Sequence, residues 1–124
     1  MTQLFAIAAG GAAGAVMRFT MSNWVYAVVG RSFPYGTLAV NVLGSLLMGV
    51  LYVLLTDRVT ISAEWRGALL VGLLGAFTTF STFSIETLNL IEQGERIKAV
   101  LNMVLSVGLC VGGTWLGVIM GRQL

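Results

Sequence analysis

An all-α membrane protein of four crossings in a single domain, residues 1–124, is the fold class this sequence predicts, on three observations. Its 124 residues are 57% hydrophobic and 10% charged, with mean hydropathy +0.92, far from the roughly quarter-charged composition of soluble domains. Apolar runs long enough to cross a bilayer fall at about 4–29, 35–55, 67–91 and 100–121. The segments between them are short and polar: "GRSFPYG" with the only proline, Pro34, then "TDRVTISAEWR" and "EQGERIK". Backbone groups in hydrocarbon must bond within their own element, so runs of this length are read as helices.

The first run begins "MTQLFAIAAGGAAGA", which has no cationic n-region, and Arg18 with further apolar sequence stands where a cleavage site would lie. It is expected to be a retained crossing rather than a leader. Gly10, Gly14 and Arg18 recur four apart on one helical face, continued by Ser22 and Tyr26. Small residues at this spacing let helices approach closely, the reading favoured for both glycines. A guanidinium at depth costs several kcal/mol unless it snorkels, pairs or faces water. Arg18 therefore either reaches an interface or lines an anion-attracting vestibule.

The second run repeats the pattern with Thr37, Asn41 and Ser45 four apart, flanked by Gly44. An amide with two donors and an acceptor does not suit a lipid-facing position, so Asn41 is either interhelical glue or a pore-lining donor. In the fourth run Gly113, Gly117 and Gly121 form a helix-packing seam. Asn102 and Ser106, at the other end of the same stripe, are candidates for a polar lining.

The third run is the least like a lipid-facing helix. Gly72 and Gly75 precede adjacent threonines, Thr78 and Thr79, a combination at which a membrane helix can break near its middle. Such a break exposes carbonyls that are natural cation ligands, and it is tolerated only when buried in protein or lining a cavity. Beyond it, Phe80 and Phe83 share a face, Thr79, Thr82 and Glu86 share a neighbouring one, and Ser81 and Ser84 fall between or beyond. Hydroxyls bonding back to their own helix explain one or two of these residues but strain over the whole set. Aromatic rings are electropositive at their edges, and Asn, Ser and Thr donors can replace hydration without trapping an ion beside a fixed cation. The pattern fits a small, strongly hydrated anion, fluoride and chloride alike.

Cations set orientation by staying on the cytoplasmic side, yet here Arg58, Arg66 and Arg122 on one side face Arg31, Arg96 and Lys98 on the other. Either the tie is an accident of a short chain with few charges, or the protein inserts both ways and forms an antiparallel dual-topology homodimer. No histidine is present, and the lone Cys110 lies within an apolar run without a disulfide or metal partner.

"GGAAGAVMRF" (residues 10–19), "GTLAVNVLGS" (36–45) and "GLLGAFTTFSTF" (72–83) resemble, in order and spacing, the signature segments of the Fluc, or CrcB, fluoride channels of microbial membranes. The third segment is the most specific, and the fourth run matches by hydrophobicity and its polar stripe alone. The resemblance implies an antiparallel homodimer in the bacterial inner membrane, among lipid and with no nucleic-acid partner, passing fluoride passively through two pathways. Phe80 and Phe83 would offer ring edges, Asn41 a donor, and Thr79, Ser81, Thr82, Ser84 and Ser106 a polar track ending near Glu86, with Arg18 in the vestibule. It also implies a structural sodium ion at the dimer centre, held by the backbone carbonyls of Gly75 and Thr78. A small dual-topology proton-coupled exporter is the alternative, but such proteins resemble one another through a carboxylate in the first crossing, where this chain has Arg18. A non-transporting structural subunit would explain the glycine seams and leave the polar-aromatic cluster without a task. An enzyme is not expected, since no nucleophile and base pair is visible.

Overall fold

A computed structural model describes residues 1–124. Helix α1, Thr2–Val29, is 28 residues long, or about 42 Å at 1.5 Å per residue. It stops where Gly30 takes φ 96°, a conformation that costs glycine nothing, and the Gly30 N–H donates to Tyr26 O at 2.8 Å. Pro34, with no N–H to leave unpaired, precedes α2, Tyr35–Arg58, whose last turn, Leu54–Arg58, winds as π-helix. Ser62 opens the third crossing, its Oγ accepting from Trp65 N–H at 3.3 Å.

That crossing, Ala63–Glu92, is made of two pieces. Helix α3 covers residues 63–77, with Gly67–Leu74 wound as π-helix and a short α-helical end, Gly75–Phe77. Thr78 (φ −93°, ψ 158°) and Thr79 (φ −151°, ψ 119°) are extended, and α4, Phe80–Glu92, follows. Gly94, at φ 81°, turns the chain into α5, Arg96–Gln123. The helices reach past the apolar runs on which they are centred because capping and charged residues at the interface continue a helix without being apolar.

Two glycine seams hold the bundle. In one, α1 lies on α3: a Cβ on Gly14 would enter the Leu73 carbonyl and come within 3.1 Å of Leu73 Cα, and one on Gly72 would lie 2.9 Å from Gly11 N. In the other, α5 lies on α2: a Cβ on Gly117 would enter the Leu46 carbonyl and lie 3.0 Å from Val50 N. Close backbone approach of this kind supplies the van der Waals contact that associates helices in lipid, where no hydrophobic force separates them from acyl chains. Gly113 is looser, with Val42 O 3.6 Å from a built Cβ.

Chain ends and turns sort into two groups. Arg58 Nη2 donates to Arg122 O, and Gln3 Nε2 reaches Ala63 O at 3.5 Å, which gathers both termini and the α2–α3 connection at one end. At the other end Lys98 Nζ donates to Ser32 O at 3.1 Å, and the Arg31 guanidinium lies 4.4 Å from the centre of the Tyr26 ring.

Candidate functional site

Extended backbone at Thr78 and Thr79 takes N–H and C=O groups out of the helical ladder, and within a membrane each must find another partner. Asn41 of α2 supplies both for Thr79. The Thr79 N–H donates to Asn41 Oδ1 at 2.7 Å, and Asn41 Nδ2 donates to Thr79 O at 3.0 Å. The Thr79 side chain then caps α4, Oγ1 accepting from Thr82 N–H at 3.2 Å and donating to Thr82 Oγ1 at 3.1 Å. On the other side of the gap Thr78 Oγ1 donates to Leu74 O at 3.0 Å, and Arg18 Nε donates to Ala76 O at 3.0 Å. The half-buried Arg18 thus brings its charge to the carbonyl end of α3, where the helix dipole is negative. The Gly75 and Thr78 carbonyls receive none of these bonds.

Beside the gap lies a recess of about 350 Å³ whose wall includes Asn41, Thr78, Thr79, Phe80, Phe83 and Ser106. Gly44 admits it: a Cβ there would strike the Thr78 methyl and lie 3.2 Å from the Phe77 ring. The Phe80 and Phe83 ring centres are 5.2 Å apart and tilted by 42°, yet their surroundings differ, since Phe80 is 76% exposed and Phe83 only 9%. Behind Ser106 runs a buried polar chain. Ser106 Oγ donates to Asn102 Oδ1 at 3.3 Å, Asn102 Nδ2 to Thr87 Oγ1 at 2.8 Å, and Thr87 Oγ1 to Phe83 O at 2.7 Å.

Other residues named from the sequence lie apart. Glu86 lines a second recess of about 240 Å³ together with Tyr26, Arg31, Asn89 and Gln93. There Tyr26 Oη donates to Glu86 Oε2 at 2.9 Å, while Glu86 Oε1 is buried without a partner. Ser84 Oγ donates to Phe80 O at 2.9 Å, so its hydroxyl is spent on its own helix. Ser81 is exposed and contacts Thr79 Oγ1 at 3.4 Å. Arg18 is not in the wall of the 350 Å³ recess. Sequence reasoning did not single out Thr87, or Thr114, which shares the recess wall and donates to Ser45 O at 3.0 Å. A signal existed for each: Thr87 lies four residues after Phe83, and Thr114 continues the Ser106–Cys110 spacing.

Four helices long and apolar enough to cross a membrane define an integral membrane protein, and three of its crossings line a recess in which neutral polar side chains stand among apolar and aromatic ones. The family model for CrcB-like protein, Camphor Resistance (CrcB), matches residues 5–118. This chain belongs to that family. It is 57% identical over 121 residues to the fluoride-specific ion channel FluC of Methylococcus capsulatus, covering 98% of this chain and 53% of the relative, so the chain spans about half the length of that protein. Relatives of the same name are similar over nearly their whole lengths. That of Coxiella burnetii is 53% identical over 116 residues, 93% of this chain and 94% of the relative. That of Geobacter sulfurreducens is 50% identical over 124 residues, all of both chains.

Proposed function

We propose that the protein is a fluoride-selective channel, not an enzyme, and that it passes fluoride passively out of the cytoplasm across a bacterial inner membrane. The observation that carries this reading is the recess in which two phenylalanine rings and neutral donors stand together without a fixed cation in the wall. The names of the relatives choose fluoride from the small anions that such a recess suits.

Fluoride must exchange strong hydration for protein donors at every step. Asn41 Nδ2 carries two hydrogens and Thr79 O takes one, which leaves one for the recess. Ring edges of Phe80 and Phe83 present positive C–H dipoles to an anion between them. Thr82, whose hydroxyl accepts from Thr79 and keeps its own proton, and the exposed Ser81 offer hydroxyls at the start of α4, while the Thr79 and Ser84 protons are held within the chain. Arg18, with one of its five N–H groups committed to Ala76 O, attracts anions from the vestibule. Binding that is favourable at several sites and tight at none allows conduction. Purified protein should therefore release fluoride from liposomes at equal pH on both sides. Release that required a proton gradient would favour the coupled exporter.

We further read the working unit as an antiparallel homodimer with a fluoride pathway through each chain. The balanced cations support insertion both ways. Gly75 is exposed on the single chain, with nothing nearer a built Cβ than Leu70 O at 3.8 Å, so its carbonyl segment is open to a second copy. The Gly75 and Thr78 carbonyls fit a hard monovalent cation such as sodium, being neutral oxygens, and two copies would provide four. A sodium ion held there would join the ends of the two interrupted crossings and offset carbonyl dipoles that face each other. Reporters fused to the C-terminus should signal from both sides of the membrane, and dimers prepared with sodium excluded should be less stable. One orientation alone, or stability indifferent to sodium, would contradict the corresponding half of this assembly.

A further inference from the structure

Ser106 lines the recess, yet its single hydroxyl proton points away from it, toward Asn102 Oδ1 at 3.3 Å. In this arrangement Ser106 offers the recess lone pairs alone, which repel an anion. The residues behind it are sealed from solvent, Thr87 being 6% exposed and Asn102 2%, and Ser106 itself is 8% exposed. All three bonds in the chain run the same way, from Ser106 through Asn102 and Thr87 to the Phe83 carbonyl.

We propose that Asn102 is a positioning residue that sets the hydrogen-bond polarity of Ser106, turning it from acceptor to donor as an anion enters. A half-turn of the Asn102 amide exchanges Nδ2 and Oδ1 without moving any other heavy atom, since the two ends of an amide are nearly equal in size. Nδ2 then donates to Ser106 Oγ, and Oδ1 accepts the Thr87 hydroxyl. Ser106 is left free to point its proton into the recess. The count of bonds is conserved. The bond from Thr87 to Phe83 O is exchanged for one from Ser106 to the anion, and Phe83 O keeps the backbone N–H that an α-helix gives it. Asparagine is suited to this task because it donates at one end and accepts at the other; aspartate accepts at both ends and leucine does neither. Asn102 is not in the recess wall, so it acts through Ser106.

This inference rests on the fluoride-channel reading, and the experiment separates the two. Fluoride efflux is measured from liposomes holding wild type, Asn102→Asp, Ser106→Ala and the double variant, with assembly checked by gel filtration. Aspartate keeps the Ser106 proton captive, so Asn102→Asp should lose at least about tenfold in flux, the worth of one hydrogen bond to a charged group. Ser106→Ala should lose a similar factor. On the Ser106→Ala background, Asn102→Asp should cost less than about threefold more, because its route to the anion has already been removed. A further tenfold loss in the double variant, as charge repulsion or damaged packing would give, overturns the proposal. If the aspartate variant does not assemble, Asn102→Leu is used instead: leucine cannot hold the Ser106 proton, so its flux should stay within about threefold of wild type, and a loss of about tenfold that persists on the Ser106→Ala background overturns the proposal. Wild-type liposomes that pass no fluoride would overturn the channel reading, and the inference with it.

Discussion

Replacing Phe80 or Phe83 with isoleucine should lower fluoride flux by at least about a hundredfold while the protein still assembles. The two sites make different demands on the packing alternative. Phe80 is 76% exposed on the single chain, so its ring has almost no packing to lose within that chain, and a packing role there predicts wild-type flux for Phe80→Ile. Phe83 is 9% exposed, and its replacement should cost about 1–2 kcal/mol of stability, as usual for reshaping a buried apolar site. A hundredfold loss corresponds to about 2.7 kcal/mol in a barrier. Isoleucine keeps apolar bulk but has no polarised ring edge, so the loss isolates the electrostatic contribution of the ring. Flux in liposomes and elution on gel filtration decide the matter, and full conduction by both variants would remove the rings from the pathway.

The largest stability effect is expected at Gly117. Valine there would drive its Cβ into the Leu46 carbonyl and to within 3.1 Å of Gly49 Cα, and backbone cannot move aside as a flexible side chain can. Separating α5 from α2 would also break the Thr114 Oγ1 bond to Ser45 O. A loss of about 4 kcal/mol or more is expected, in the range reserved for overpacking at a close backbone contact. Gly112 is the control. No atom outside its own helix lies within 4 Å of a Cβ built there, so Gly112→Ala should stay within about 0.5 kcal/mol of wild type. Thermal unfolding in detergent compares the two, and equal stability would mean that the α2–α5 seam does not hold the bundle.

The crossings were legible because hydropathy over some twenty residues is a property of composition, which no tertiary contact needs to supply. Glycine seams were legible for a related reason: four-residue spacing puts Gly10 and Gly14, or Gly117 and Gly121, on one face before any partner is known. In the recess, Asn41, Thr79 and Ser106 stood out as polar groups that lipid does not satisfy, and Phe80 and Phe83 for sharing a face beside a run of hydroxyls. What the sequence could not provide were partners lying 15 to 60 positions away. Asn41 reads as a lone amide until Thr79 arrives with both backbone groups unpaired, and Asn102 gains its meaning from Thr87. Glu86 continues the hydroxyl face of α4 on paper, but the packing of α1 brings Tyr26 to it and sets it in a separate recess. The π-helical winding of Gly67–Leu74 had no sequence signal at all. The same segment packs closely against Gly10 and Gly14 of α1, a contact that exists only in the folded bundle.

Reversal potential in a planar bilayer, with purified protein, a tenfold fluoride gradient, equal chloride and a pH difference imposed independently, tests the central claim most directly. A passive fluoride pathway reverses at the fluoride equilibrium potential, about 59 mV in magnitude for a monovalent ion, whatever the pH difference. A reversal potential that follows the proton gradient, or that stays near zero because chloride carries the current, would contradict it.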